Sequence, residues 1–162
     1  AAMIAAAMNN QGTLIATDSN PKRLPRLEEN LKNLHITCAE ISAHDWLEPA
    51  PQKWHGHFDG ILLDVPCSNT GVLRRRVDAR WRLQPRDLSD LPAIQKRILE
   101  NALPCLKPGG RVVYSTCSIE PEENTKLVAG LLATHPELRL VAEKQVLPGV
   151  DHTDGAYAAL LQ

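Results

Sequence analysis

The strongest constraint on the fold is a repeated unit, a short apolar β-branched run that closes on or near an acid and is followed by a segment of helical spacing. Gly12-Thr-Leu-Ile-Ala-Thr-Asp18 is the first such run. Ser19-Asn20-Pro21 then supplies a helix cap and a proline suited to the first helical turn, and Leu24, Leu27, Leu31 and Leu34 recur at helical spacing. A second strand is expected over 36–41. Phe58-Asp-Gly-Ile-Leu-Leu-Asp64 reads as a third, buried on both faces as in a parallel sheet. After a long polar loop, Ser89 is expected to cap a helix carrying Leu91, Ile94, Ile98, Leu99, Ala102 and Leu106, stopped by Lys107-Pro-Gly-Gly110. A strand over 111–115 follows, then a helix opened by Pro121-Glu-Glu-Asn124, then closing strands over 138–142 and 156–161.

Strands alternating with helices predict an α/β fold, a doubly wound and mostly parallel sheet whose ligands gather at the carboxyl ends of the strands. Asp18, Asp45, Asp64 and Cys117 fall at those ends. A doubly wound nucleotide-binding sheet opens with a central strand and a glycine-rich turn, whereas residues 1–8 read as an Ala-rich helical segment. The first strand and its cofactor loop are therefore expected to be missing, leaving a catalytic domain over 1–162 that is incomplete at its N-terminus.

Composition narrows the function classes. With 43% hydrophobic and 23% charged residues the chain is of globular type, and its longest apolar stretch, 1–8, is far below the roughly 20 residues that span a bilayer. A net charge of −1 excludes a global basic field, so any nucleic-acid contact must be local. The four cysteines form no C-x-x-C pair and no zinc-type alternation, which fits a reduced cytoplasmic setting. His55 and His57 near Asp59 lack further ligands at usable spacing, so no metal is expected.

Two cysteine motifs carry chemistry. Asp64-Val-Pro-Cys67-Ser-Asn-Thr-Gly71 and Tyr114-Ser-Thr-Cys117-Ser-Ile-Glu-Pro-Glu-Glu-Asn124 each follow a predicted strand, which would set them side by side at the sheet edge. Free cysteines are usually small buried hydrophobes, and that reading suits Cys38 and Cys105. Cys67 and Cys117 lie instead among polar loop residues. An ordinary thiol is only about 3% ionised at pH 7. A helix start just after Cys117 would favour its thiolate, and Glu120, Glu122 and Glu123 would oppose it.

On these residues the chain resembles the catalytic domain of the Fmu/Sun-type RNA cytosine-C5 methyltransferases, the RsmB group that modifies small-subunit rRNA, from about residue 3 to 161. The most specific part is the pair Pro-Cys67-Ser and Thr-Cys117-Ser at family spacing. Asp154-Gly155 resembles the family's Asp-Gly-Phe-Phe ending, from which Ala156-Tyr157 departs, and Asn69 stands where the family usually has glycine. The resemblance implies a Rossmann-like class I methyltransferase fold, with S-adenosylmethionine as methyl donor and an upstream RNA-binding domain. It makes Cys117 the nucleophile that adds to C6 of cytosine, Asp64 the acid that hydrogen-bonds or protonates N3, and Cys67 the residue that helps resolve the adduct.

Cofactor contacts are expected from Asp18 to the ribose, Asp45 beside the adenine, and Asp64. The plainer readings are a helix cap for Asp18, a solvated loop acid for Asp45, and a strand-end cap or ion pair for Asp64. The family's Ala-Ala-Pro-Gly-Gly-Lys loop is absent.

Between residues 74 and 86 lie six arginines and one acid, Asp78. Such a run is ordinarily a solvated, salt-bridged loop. Here it follows the Cys67 loop, and Arg74, Arg75, Arg76, Arg80 and Arg82 with Trp81 are expected to face RNA. The rival readings are a DNA or amino-group methyltransferase on the same fold and a catalytically silent cofactor- or RNA-binding module. An amino-group enzyme would place Pro-Pro-aromatic after Asp64 where this chain has Val-Pro-Cys67, and a DNA cytosine enzyme would use Cys67 as nucleophile.

Overall fold

The computed structural model describes residues 1–162, which divide into two compact units, 1–48 and 49–162. In the first, α1 (Ala2–Ala7) leads to β1 (Leu14–Asp18), α2 (Leu24–Asn33) and β2 (Ala39–Ala43). β1 and β2 pair in parallel, Leu14 opposite Ala39 and Asp18 opposite Ala43. Asn20 caps the short turn into α2 by accepting a hydrogen bond from the Lys22 amide, with Pro21 in the first turn. β2 lies later than expected from the 36–41 run. His35 takes a left-handed backbone, and the amides of Thr37 and Cys38 donate to Asn10 Oδ1, so this stretch is held as a loop.

The second unit contains β3 (Phe58–Asp64), α3 (Ala79–Arg82), α4 (Asp87–Ala102), β4 (Leu106–Thr116), α5 (Thr125–Thr134), β5 (Leu140–Val146) and β6 (Ala156–Leu161). Its sheet runs β3-β4-β6-β5: β3 and β4 are parallel, while β6 is antiparallel to both β4 and β5. The core consists of Leu99, Ala102, Cys105, Val112, Tyr114, Leu131 and Leu161, all fully buried. Tyr114 and Tyr157 pack edge to face on neighbouring strands, ring centroids 6.4 Å apart.

Four expectations are corrected by the structure. β3 is an edge strand and not buried on both faces: Leu63 is 6% exposed, whereas Leu62 on the opposite face is 51% exposed. α4 begins at Asp87, whose side chain accepts from the Gln84 amide, and Ser89 bonds back to the Arg86 carbonyl instead of capping. Pro108-Gly109-Gly110 does not terminate a helix. It forms an irregularity inside β4, where pairing jumps from Phe58–Leu106 to Gly60–Arg111 and Gly109 takes a φ of +76°. β5 extends to Val146 instead of ending at Ala142, because its pairing with β6 continues from Leu140–Leu161 to Val146–Ala156.

Candidate active site

β3 and β4 end together, Asp64 opposite Ser115, so the segments leaving them begin side by side. The Val65 amide still donates to the Ser115 carbonyl, after which the chains diverge into the two cysteine loops. Cys67 and Cys117, 50 residues apart in sequence, bring their Sγ atoms to 3.1 Å. Cys117 is the more acidic, lowered to about 7, chiefly by its hydrogen bond with Cys67, then by a backbone hydrogen bond and least by the Arg76 charge; burial and Asp64 oppose the shift. The Cys67 thiol is pushed well above its usual range by the same hydrogen bond and by burial. At neutral pH Cys117 is therefore poised between thiol and thiolate, and its thiolate form accepts from the Cys67 thiol. The expected help from a helix N-terminus is absent, since α5 begins only at Thr125.

A buried polar network holds both loops. Ser68 follows Cys67 and Ser118 follows Cys117, and their hydroxyls lie 3.0 Å apart. The Glu123 carboxylate, fully buried, accepts from the Ser68 amide, the Ser68 hydroxyl and Gln95 Nε2. Gln95 also donates to the Pro66 carbonyl, and the Tyr114 hydroxyl donates to the Glu123 carbonyl at 2.6 Å. Asn124 accepts from Thr116 Oγ1 and donates to the Ser118 carbonyl. Glu123 is thus a scaffold for the Cys67 loop, and the anion acting on Cys117 is Asp64. Sequence reasoning missed Gln95 and Asn124 and expected Glu123 to oppose the Cys117 thiolate, whereas its carboxylate is engaged by Ser68 and Gln95. The one signal was a polar residue, Gln95, on the apolar stripe of α4.

Asp64 is exposed at the end of β3 and shares with Cys117 the wall of a cavity of about 370 Å³, with Lys144 and Tyr157 across it. Arg74 and Arg75 both pair with the Asp154 carboxylate, and Arg82 pairs with Asp78. Three arginines of the run are therefore engaged on the protein surface, while Trp81 is 79% exposed. No group of three or more His, Cys, Asp or Glu side chains is arranged to hold a metal.

In the first unit Asp18 ends β1 and Asp45 follows β2 by two residues, which puts both acids at the carboxyl end of that parallel pair. Each ties an oxygen to its own loop, Asp18 Oδ1 accepting from the Asn20 amide and Asp45 Oδ1 from the Leu47 amide. Trp46 Nε1 donates to Thr17 Oγ1 at 2.9 Å, tying the loop after β2 to the end of β1.

A family model described as 16S rRNA methyltransferase RsmB/F matches residues 1–162. The chain belongs to the RsmB/F family. Ribosomal RNA small subunit methyltransferase B of Klebsiella pneumoniae is 42% identical over 160 residues, an alignment covering 93% of this chain and 36% of the relative. The protein of the same name from Vibrio cholerae is 42% identical over 158 residues with the same coverage. The chain thus spans about a third of the length of these RsmB/F relatives. Among solved structures, PH0851 superposes with a TM-score of 0.93 at 31% identity, covering 98% of this chain and 39% of that one. NSun6 from Pyrococcus horikoshii, solved with SFG, gives 0.83 at 27% identity, covering 98% and 43%. The fold is accordingly the Rossmann-like class I methyltransferase fold, shared by RsmB/F proteins and these neighbours.

Proposed function

We propose that this chain carries the catalytic site of an S-adenosylmethionine-dependent RNA cytosine-C5 methyltransferase acting on small-subunit rRNA. The 3.1 Å apposition of Cys67 and Cys117, in loops that leave the paired ends of β3 and β4, is the observation that carries the reading. Cytosine C5 is too weak a nucleophile to take a methyl group unaided. Addition of the Cys117 thiolate to C6 forms the S–C6 bond and moves the ring electrons toward C5 and N3, where Asp64 can hydrogen-bond or donate a proton. Once C5 has taken the methyl group, with S-adenosylhomocysteine as the leaving thioether, loss of the C5 proton to solvent and cleavage of the S–C6 bond restore the ring. Cys67 stands where its thiol can donate to the departing Cys117 sulfur.

When bound, S-adenosylmethionine supplies the electrophilic methyl carbon. Asp18 and Asp45 fit it, because carboxylates at the carboxyl ends of parallel strands accept from ribose and adenine donors. RNA is held by the arginine-rich segment, with Arg76 near Cys117, Arg80 and Arg82 beside the exposed Trp81, and Arg74 and Arg75 oriented by Asp154. A DNA cytosine enzyme would instead carry the base on Cys67, so the sulfur that bonds the base separates the two readings.

The test is methyl transfer by the full-length protein from labelled S-adenosylmethionine to unmodified small-subunit rRNA. Nuclease digestion should release labelled 5-methylcytidine, and Cys117→Ala should abolish it. Label on an exocyclic nitrogen would overturn the reading.

A further inference from the structure

We propose that Asn69 is a positioning residue for this reaction, its side-chain amide fixing the Cys117 sulfur and favouring its thiol over its thiolate form. Asn69 has a φ of +63°, a left-handed conformation that an Asn side chain tolerates better than most. That turn aims its amide at both cysteines. Nδ2 donates to the Cys67 carbonyl at 2.8 Å, and Oδ1 accepts from Cys117 Sγ at 3.1 Å. Flipping the amide would set oxygen against the Cys67 carbonyl oxygen, so the orientation is fixed by the backbone. The three groups form a closed ring: Cys67 Sγ to Cys117 Sγ, Cys117 Sγ to Asn69 Oδ1, and Asn69 Nδ2 to the Cys67 carbonyl.

The two neighbours of Cys117 pull in opposite directions. A Cys67 thiol donates to Cys117 and stabilises its thiolate, whereas an amide oxygen can only accept and stabilises the thiol. The other charged or titratable groups facing the site are Asp64 at the end of β3, Arg76 in the following turn, Lys144 and Tyr157 on β5 and β6 across the cavity, and Glu123 behind Ser68. None of them touches Cys117 as Asn69 does. Asn69 thus restrains the nucleophile until a base displaces its amide oxygen. This catalytic consequence rests on Cys117 being the nucleophile, while the thiol titration does not.

The test is alkylation of the full-length protein by iodoacetamide across pH without RNA or cofactor, Cys117 being read by peptide mass spectrometry. In each event the thiolate forms an S–C bond, iodide leaves, and the thiol proton has passed to buffer. Asn69→Gly, which suits the left-handed backbone, should shift the Cys117 midpoint down by about half to one pH unit, the worth of one modest hydrogen bond. Asn69→Asp, of the same shape with a negative charge, should shift it upward. Unmoved midpoints in both variants, or a rise in Asn69→Gly, would overturn the proposal whether or not the protein proves to be a cytosine-C5 enzyme.

Discussion

Gly71 and Gly155 touch backbone to backbone: the Gly155 amide donates to the Gly71 carbonyl at 2.7 Å, and the Gly71 amide donates to the Cys117 carbonyl at 3.0 Å. The Cys67 loop is thereby tied both to the Cys117 loop and to the segment entering β6. A Cβ on Gly71 would run into the Gly155 backbone and approach the Cys117 carbonyl oxygen to 2.9 Å, and one on Gly155 would lie 2.8 Å from the Gly71 Cα. Gly71→Ala is expected to destabilise the protein by about 1–3 kcal/mol, the usual cost of overpacking, and to lower Cys117 alkylation at pH 7. Thermal melting and alkylation rates check both; a variant with parental stability and reactivity would show that the crossing is loose.

The cysteine pair makes a pH prediction. A thiol lowered to about 7 is roughly half ionised at pH 7 and about a tenth ionised at pH 6, so Cys117 reactivity should rise through that window. Since the Cys67 hydrogen bond is the largest cause of the lowering, Cys67→Ala should move the midpoint up toward that of an ordinary thiol. Peptide-resolved alkylation measures it, and an unmoved midpoint would deny that Cys67 acidifies its neighbour.

Glu123 should matter through the loop it holds. Glu123→Gln keeps the shape but turns an amide donor toward at least one of the three donors that the carboxylate accepts. Leaving a buried donor unsatisfied costs about 1–3 kcal/mol. Chemical denaturation should show a loss of that size, and no loss would mean that the network rearranges freely.

For RNA binding, replacing Arg76, Arg80 and Arg82 by alanine in the full-length protein should flatten the salt dependence. Each phosphate that an arginine neutralises adds roughly 0.7 to the magnitude of the log K against log salt slope for a single strand. Filter binding over a salt series reads it directly, and an unchanged slope would mean that these arginines make no phosphate contact.

Local pattern exposed much of this architecture. The bounds of β3 and β6, the Asn20-Pro21 lead into the first helical turn and the meeting of the Cys67 and Cys117 loops follow from periodicity and from two motifs at parallel strand ends. What escaped depends on partners distant in sequence. Glu123 reads as one acid among three, and only the fold sets it beneath Ser68 and Gln95. β5 is an exposed edge strand whose extent is fixed by pairing with β6, not by its own alternation. Asn69 appears in sequence only as a residue in place of glycine, and the amide's hold on Cys117 emerges from the left-handed turn.

The central claim, that Cys117 is the nucleophile, is tested most directly by incubating the full-length protein with S-adenosylmethionine and a substrate RNA carrying 5-fluorocytosine at the target position. Fluorine cannot leave C5 as a proton does, so a covalent complex should accumulate. Peptide mapping should place the RNA on Cys117, with Cys67→Ala still forming the complex and Cys117→Ala forming none. An adduct mapped to Cys67, or one that survives Cys117→Ala, would contradict the account.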